Sequence, residues 1–261
     1  MLKYIFFLSY IFFAINISYS QTPDTLNLAK FFAGNNGAFV VYDQNNNKYI
    51  RYNPKRCGER FLPASTFKIA NSLIGLETGV IPDENYVIKW DGKPKPIKEW
   101  ERDHTLRTAI QYSVVPYYQE LARRVGKEKM QHWLDTINYG NRTIGKSVDY
   151  FWLDNSLKIS ANEQVKFLKE FFNYKLPVSK RSVDIVKDII SKEVHGKSVL
   201  KFKTGTGDYN NHWIAWLVGY VKKDDNVYFY AFNIDGNDFM SVSDLRNTVP
   251  REILKYLNIL E

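Results

Sequence analysis

The sequence contains one cysteine, Cys57, among its 261 residues. A single cysteine cannot form an intramolecular disulfide, so the stability of an exported form must come from side-chain packing. The chain has the material for that packing, with 17 Phe, 18 Tyr and 6 Trp residues. We therefore expect an aromatic-rich core, and we interpret Cys57 as a packing residue without a chemical role.

Long apolar runs are also missing beyond the N-terminus. At the N-terminus itself, Lys3 precedes an apolar stretch over residues 5–14, and small residues follow up to Ser20. This arrangement is typical of a secretory signal peptide, residues 1–20. We expect cleavage after Ser20, which would export residues 21–261 to the periplasm without a stable membrane anchor. The alternative is an uncleaved anchor, which the short and polar-interrupted run disfavours.

Clusters of basic residues are absent, although the formal net charge is +8. Basic runs do not exceed pairs such as Arg123-Arg124 and Lys222-Lys223. Nucleic-acid binding needs clustered positive charge, so we expect no nucleic-acid partner and interpret the excess as a solvated basic surface. The four histidines lack the spacing of zinc ligands, so we expect no metal site.

Hydrophobic periodicity places strands at both ends of the chain and helices between them. Period-two patterns predict strands over residues 38–42, 48–52, 199–203, 213–221 and 227–233. Helical spacing predicts helices from Pro63 to Gly79 and over residues 117–125, 127–136, 162–172, 181–192 and 249–257. We therefore expect an α+β fold in a single domain, residues 21–261. Its antiparallel sheet is built from the N- and C-terminal strands with flanking helices, and a mostly helical region, residues 61–194, is inserted in it.

Three short motifs follow one another in the chain. They are Ser-Thr-Phe-Lys at residues 65–68, Ser-Val-Val at 113–115 and Lys-Thr-Gly at 203–205. Each is weak alone, since Ser-x-x-Lys recurs at residues 198–201. Together they are the parts of a serine acyl-transfer site in which lysine, not histidine, handles the proton.

The first motif places Ser65 and Lys68 on one face of a helix start. A serine hydroxyl is a poor nucleophile without a base, and an ammonium group cannot accept a proton. Lys68 must therefore lose its charge through burial or be converted chemically. Val115 in the second motif offers no polar base and makes the neighbourhood apolar, which favours the neutral amine. Taken alone, the first motif favours a helix with an exposed Ser and Lys.

The order and spacing of these motifs resemble the penicillin-recognising serine enzymes, and finer details resemble one branch, the class D (oxacillinase-type) β-lactamases. Residues 139–141, Tyr-Gly-Asn, match a motif of that class, and residues 113–124 are especially similar to it. Trp152 and its neighbour Leu153 match the segment that contacts a carbamate. Arg246 matches an arginine that binds the substrate carboxylate, and the sequence downstream favours it over Arg251.

The resemblance implies a mechanism for hydrolysis of β-lactam antibiotics, and thus antibiotic resistance. Ser65 would form the acyl-enzyme, and Lys68, carbamylated by CO2 or bicarbonate, would be the general base in acylation and deacylation. Ser113 would relay a proton to the leaving nitrogen. The backbone N–H groups of Ser65 and Thr206 would form the oxyanion hole.

The resemblance assigns the remaining residues to two sets. The set that orients the substrate carboxylate comprises Lys203, which is also counted as catalytic, with Thr204, Gly205 and Arg246. The set that forms the carbamate pocket comprises Val115, Trp152 and Leu153. Apart from CO2 or bicarbonate, no cofactor is expected.

Two alternatives share part of this pattern. A D,D-peptidase acting on cell-wall peptides would use Ser-x-x-Lys and Lys-Thr-Gly but would not need Val115 or Trp152. The extracellular domain of an antibiotic sensor would be acylated without being deacylated. Such sensors need membrane spans and an intracellular domain, so we expect the secreted enzyme.

Overall fold

The computed structural model describes residues 27–261, so the expected signal peptide over residues 1–20 lies outside the described residues. The helices are α1 (Ala29–Phe32), α2 (Pro54–Gly58), α3 (Lys68–Glu77), α4 (Leu106–Gln111), α5 (Val115–Val125), α6 (Lys127–Thr136), α7 (Ala161–Phe172), α8 (Lys180–Ile189) and α9 (Phe239–Tyr256). The main strands are β1 (Gly37–Asp43), β2 (Lys48–Tyr52), β7 (Ser191–His195), β8 (Ser198–Tyr209), β9 (His212–Lys223) and β10 (Asn226–Gly236). Short strands are β3 (Arg60–Phe61), β4 (Val87–Ile88), β5 (His104–Thr105) and β6 (Ile159–Ser160), and 3₁₀ helices cover Ala64–Phe67 and Lys98–Trp100.

The main strands form one antiparallel sheet in the order β2-β1-β10-β9-β8-β7. In its centre, Phe39 of β1 lies opposite Phe232 of β10, and Lys203 of β8 lies opposite Val218 of β9. The sheet thus joins strands from the two ends of the chain, and the segment between them is mainly helical. This confirms the α+β architecture predicted from the hydrophobic pattern.

Both faces of the sheet are covered, as β1 shows. Successive side chains of a strand point to opposite faces. Phe39 and Val41 are buried in a cluster with residues of α1 and α9, whereas Ala38 and Val40 belong to a larger cluster with the helices of the inserted region. Among the described residues no helix is both long and apolar enough to cross a membrane.

Aromatic packing supports the start of α3, as the composition predicted. The buried ring of Phe67 lies 5.4 Å from the ring of Tyr139, 5.2 Å from Phe151 and 5.6 Å from Trp152. Cys57 is also buried, and its Sγ lies 3.2 Å from the carbonyl oxygen of Tyr52. Burial raises the pKa of the Cys57 thiol to about 12, which fits a packing role.

Two sequence predictions near the edge of the sheet were wrong. The helix predicted over residues 181–192 ends at Ile189, and residues 191–195 form β7 instead. The strand predicted over residues 199–203 covers Ser198–Tyr209. In both cases hairpin pairing with the neighbouring strand, β7 with β8 and β8 with β9, extends the sheet through polar and glycine-rich residues that the hydrophobic pattern does not mark.

The C-terminal helix begins ten residues earlier than its predicted start at residue 249. It starts at Phe239, where the side chain of Asp238 accepts a hydrogen bond from the backbone N–H of Ser241. Most side chains of residues 239–248 are exposed, so this half lacks the apolar stripe that marks a helix in sequence. Arg246 consequently lies within α9.

Trp216 joins the centre of the sheet to the chain just before the 3₁₀ helix of residues 64–67. Its buried indole Nε1 donates a hydrogen bond of 2.9 Å to the carbonyl oxygen of Leu62. Trp213 on the same strand is only half-buried and has no such bond among the described residues. The Trp216 bond therefore ties β9 to the segment that carries Ser65.

We predict that Trp216→Phe lowers the free energy of unfolding by about 1–3 kcal/mol, because it leaves a buried carbonyl unpaired. Urea denaturation measures this change. Trp213→Phe is the matched control and should have a smaller effect. Equal losses in the two variants would contradict the assigned role of the Trp216 hydrogen bond.

Candidate active site

Ser65 lies in the 3₁₀ helix of residues 64–67, directly before α3, where the sequence predicted the first turns of one helix. The backbone N–H and the hydroxyl of Thr66 both donate to the carbonyl oxygen of Pro63, at 3.1 and 2.7 Å. Gln164 of α7, which is buried, donates to the same hydroxyl at 2.9 Å. Ala64 has a left-handed φ of 46°, the kind of constrained backbone that the surrounding packing must hold.

Gly205 of β8 packs directly against this turn. A Cβ atom added at Gly205 would lie 2.8 Å from the carbonyl oxygen of Pro63 and 3.1 Å from the backbone nitrogen of Thr66. A larger side chain would therefore separate β8 from the turn. Glycine at this position therefore lets the serine turn approach the backbone of β8 closely.

Lys68 is fully buried, and its Nζ lies 2.7 Å from Oγ of Ser65. Burial, followed by the positive charge of Lys203, holds the pKa of the Lys68 ammonium group well below its ordinary value. The neutral amine is therefore favoured here, and a neutral amine can accept the serine proton. The sequence alternative of an exposed Ser and Lys is wrong for this site.

Tyr118 and Ser72 support the buried lysine from α5 and α3. The Ser72 hydroxyl donates to the Lys68 carbonyl oxygen at 2.7 Å and lies 2.8 Å from the Tyr118 hydroxyl. The Tyr118 ring centroid is 5.2 Å from Lys68 Nζ. These contacts fix the helix turn and give the amine an apolar aromatic neighbour.

Trp152 is fully buried, and its Nε1 has no hydrogen-bond partner among the described residues. An unpaired buried N–H costs about 1–3 kcal/mol, so the position indicates an acceptor that the chain itself does not supply. The ring packs on Phe67, the sequence neighbour of Lys68. A carboxylate group bound on the Lys68 amine would supply such an acceptor, so the residues present fit the carbamate that the sequence resemblance implies.

Ser113, which lies just before α5, is in contact with Lys203 in the middle of β8. Lys203 Nζ donates to Ser113 Oγ at 3.1 Å and to the carbonyl oxygen of Thr204 at 3.1 Å. Burial, followed by the charge of Arg246, lowers the Lys203 pKa to about 7. Ser113 has a left-handed φ of 55°, so both serines of the site lie at or next to constrained backbone.

Arg246 reaches the site from α9, and Arg251 does not. The Arg246 guanidinium donates to the Thr206 hydroxyl, while its Nε is buried without a partner among the described residues. Arg251 forms an ion pair with Glu193 at 2.7 Å. The structure therefore favours Arg246 over Arg251 as the arginine available to a ligand.

These groups surround a cavity of about 170 Å³. The predicted residues in its wall are Ser65, Ser113, Val115, Leu153, Thr204, Gly205, Thr206 and Arg246. Lys68, Lys203 and Trp152 are buried and are not in that wall. The cavity therefore exposes the nucleophile and the hydroxyl groups, while the amines lie in the protein interior.

Four cavity residues were not predicted from the sequence: Ile97, Trp100, Tyr112 and Phe239. Tyr112 has one local signal, its position directly before Ser113. The other three come from a loop, the 3₁₀ helix of residues 98–100 and the start of α9, and no motif marks them. They add an apolar and aromatic surface to the mouth of the site.

The electrostatics of the site favour an anion. Lys68, Lys203 and Arg246 take part in none of the ion pairs formed by the described residues. Lys203 and Arg246, which lack a carboxylate partner, produce a positive potential in a small, partly desolvated space, whereas the neutral Lys68 amine adds no charge. An acyl compound carrying a carboxylate would bind there with its carbonyl near Ser65.

Comparison with known proteins identifies the family to which the chain is similar. A family described as "Penicillin binding protein transpeptidase domain" matches residues 36–255. Beta-lactamase OXA-48 of Klebsiella pneumoniae is 45% identical over 227 residues, which cover 86% of this chain and 84% of that protein. The crystal structure of FUS-1 (OXA-85), a class D β-lactamase of Fusobacterium nucleatum subsp. polymorphum, superposes with a TM-score of 0.86 at 42% identity and covers 90% of this chain and 98% of its own.

One similar protein is named as a regulatory protein and not as a β-lactamase. Regulatory protein BlaR1 of Bacillus licheniformis is 40% identical over 201 residues, which are 77% of this chain but only 33% of BlaR1. The C-terminal domain of the penicillin receptor BlaR of that organism superposes with a TM-score of 0.85 at 35% identity and covers 90% of this chain and 96% of its own. The fold is therefore shared by hydrolases and a receptor, and it does not separate them.

The depressed pKa of Lys203 predicts how stability depends on pH. The unfolded chain keeps this lysine protonated up to about 10.5, whereas the folded protein does so only up to about 7. Between these values the unfolded state binds more protons, so the free energy of unfolding rises with pH. In the Lys203→Met variant, the free energy of unfolding should rise less between these pH values.

Urea unfolding at about pH 7 and about pH 9 measures the rise for each protein. Lys68, Lys187 and Lys201, whose pKa values are also lowered by burial, contribute to the rise in both proteins. Exposed Lys166→Met is the control and should keep the wild-type rise. An undiminished rise in Lys203→Met would show that this lysine is not titrated in the inferred window.

Proposed function

The chain belongs to the class D serine β-lactamases, within the penicillin-binding protein transpeptidase family, and from that premise we propose that it hydrolyses β-lactam antibiotics through an acyl-enzyme on Ser65. Lys68, carboxylated on Nζ by CO2 or bicarbonate, would be the general base. The observation that carries this proposal is the full burial of Lys68 with Nζ 2.7 Å from the Ser65 hydroxyl. Such activity confers resistance to the antibiotics hydrolysed.

Substrate binding would use the positive side of the cavity. Arg246 and the Thr204 hydroxyl bind and orient the β-lactam carboxylate from the cavity wall, and the charge of the buried Lys203 supports them from behind it, since charge-assisted hydrogen bonds to carboxylates are the strong ones. This places the lactam carbonyl over Ser65. The backbone N–H groups of Ser65 and Thr206 would then stabilise the oxyanion of the tetrahedral intermediate.

Acylation would form the bond between Ser65 Oγ and the carbonyl carbon and break the lactam C–N bond. The Ser65 proton leaves toward the Lys68 side of the hydroxyl, where the basic group lies. The leaving nitrogen receives a proton from the Ser113 hydroxyl, which Lys203 Nζ contacts at 3.1 Å. A Lys203 pKa of about 7 lets this pair donate and recover protons near neutral pH.

When bound, a carboxylate on the Lys68 amine would supply an anionic base suited to both half-reactions. Trp152 Nε1 would hold it by donating a hydrogen bond. Val115 and Leu153 line the cavity and would limit the water that reaches this region. In deacylation one water attacks the Ser65 ester, the acyl C–O bond breaks, and a proton returns to Ser65 Oγ.

We also propose that the chain is exported and that residues 1–20 are removed. Mass measurement of the secreted protein checks this cleavage.

A second candidate function, an antibiotic receptor that is acylated but not deacylated, is favoured by the similarity to BlaR1. The enzyme is preferred because the unpaired Trp152 N–H fits a group that serves deacylation.

We predict steady hydrolysis of a penicillin and a chromogenic cephalosporin by the mature protein, and faster turnover with added bicarbonate. Absorbance follows turnover, and intact mass spectrometry follows the acyl-enzyme on Ser65. A stable acyl-enzyme without turnover would assign the protein as a receptor or a peptidase. Absence of any acylation would refute the proposed chemistry altogether.

We also predict that Lys68→Ala lowers turnover by at least about 10²-fold, because general-base catalysis is lost while the fold remains. Circular dichroism and thermal unfolding check the fold, and Lys166→Ala is the surface control. Trp152→Phe should keep acylation and weaken the response to bicarbonate. Deacylation at the wild-type rate in Lys68→Ala would remove Lys68 and its carbamate from the mechanism.

A further inference from the structure

A second cavity lies beside the catalytic one and has no part in the proposed reaction. Its volume is about 380 Å³, compared with about 170 Å³ for the catalytic cavity. It is formed by β4 and the loop after it, the 3₁₀ helix of residues 98–100 and α5. Its wall includes Lys89, Trp90, Trp100, Arg102 and Tyr117. This size is within the range that holds small organic ligands.

One short segment, residues 112–117, separates the two cavities. Tyr112, Ser113 and Val115 line the catalytic cavity, whereas Val114, Pro116 and Tyr117 line the second one. The side chain of Trp100 lines both. A ligand in the second cavity would therefore contact the back of the segment that carries Ser113.

The charges around the second cavity favour an anionic ligand. The wall contains four cationic side chains and two carboxylates. Glu120 already pairs with Arg123 and Arg124 at 3.0 and 2.8 Å, and Asp91 pairs with Lys95 at 2.8 Å. Two cations of the wall, Lys89 and Arg102, form no ion pair among the described residues.

The aromatic groups favour a planar ligand. Trp90 and Trp100 contribute indole rings to the wall, and both are accessible from solvent to some degree. Indole faces next to cationic side chains suit a ligand that combines an aromatic ring with one negative charge. A neutral aromatic compound would use the rings but leave the cations unpaired.

We propose that the second cavity is a binding site for small aromatic carboxylates and that its occupancy changes substrate binding in the catalytic cavity. Two contacts connect the cavities, and both involve Tyr112. The Arg102 guanidinium lies 4.9 Å from the centre of the Tyr112 ring, and Trp100 Nε1 donates to the Tyr112 carbonyl oxygen at 3.2 Å. A carboxylate that pairs with Arg102 competes with the Tyr112 ring for the guanidinium, and Tyr112 directly precedes Ser113.

Calorimetric titration with 2-naphthoate tests the site without relying on β-lactam turnover, and 2-naphthamide is the neutral control ligand. The double variant Lys89→Gln/Arg102→Gln should bind naphthoate at least about tenfold more weakly than wild type. The surface control Lys166→Gln should bind as wild type does. The amide should bind weakly to all three proteins.

The Arg246→Ala variant shows which of the two cavities binds naphthoate. Retained naphthoate affinity in this variant supports the second cavity, because the catalytic cavity has lost its arginine. Binding that is lost in Arg246→Ala and unchanged in the double variant would place naphthoate at the catalytic site and overturn the proposal. Equal affinity for naphthoate and naphthamide would overturn the assignment of an anionic ligand.

The proposed effect of the second cavity on substrate binding rests on the proposed function only because KM is measured from β-lactam hydrolysis. Naphthoate should raise the KM of wild type for a penicillin, and the ratio of KM with and without naphthoate should fall toward one in the double variant. An unchanged KM at saturating naphthoate would overturn the coupling and leave the binding result intact. If the protein is acylated without turnover, the same comparison applies to the acylation rate followed by intact mass.

Discussion

The structure depends on the burial of an amine, Lys68, without a carboxylate partner. Taking an ammonium group out of water is so costly that the group loses its proton instead. The nearby charge of Lys203 acts in the same direction. This single constraint turns a lysine, which is normally a cation, into a basic group within 2.7 Å of the Ser65 hydroxyl. A serine nucleophile without histidine is chemically reasonable only under that condition.

Much of the surrounding fold holds this arrangement in place. The sheet contacts the serine turn through Gly205 and the Trp216–Leu62 hydrogen bond, and α7 contacts it through Gln164. The aromatic cluster around Phe67 closes the other side. Strain at the turn and the unpaired N–H of Trp152 are tolerated because this packing leaves the chain no alternative conformation nearby.

A large part of the fold followed from periodicity, because the strands of the two chain ends and the central helices alternate or repeat with clear apolar patterns. The failures have a common cause. The strand β7 and the end of β8 contain few apolar residues and are formed by hairpin pairing with the neighbouring strand, and the first half of α9 is mostly exposed and lacks an apolar stripe. The hydrophobic pattern therefore marks neither the polar end of a paired strand nor a capped helix turn that faces solvent.

The sequence by itself determined the chemical parts: a serine, two lysines and a second serine in motifs whose order resembles one enzyme family. Tertiary structure decided what those parts can do. It buried Lys68, brought Lys203 to a serine 90 residues earlier in the chain, and chose Arg246 over Arg251. It also placed Ile97, Trp100 and Phe239 around one cavity. The physical reason is that a pKa and a cavity depend on desolvation and on neighbours in space, which adjacent residues in sequence do not specify.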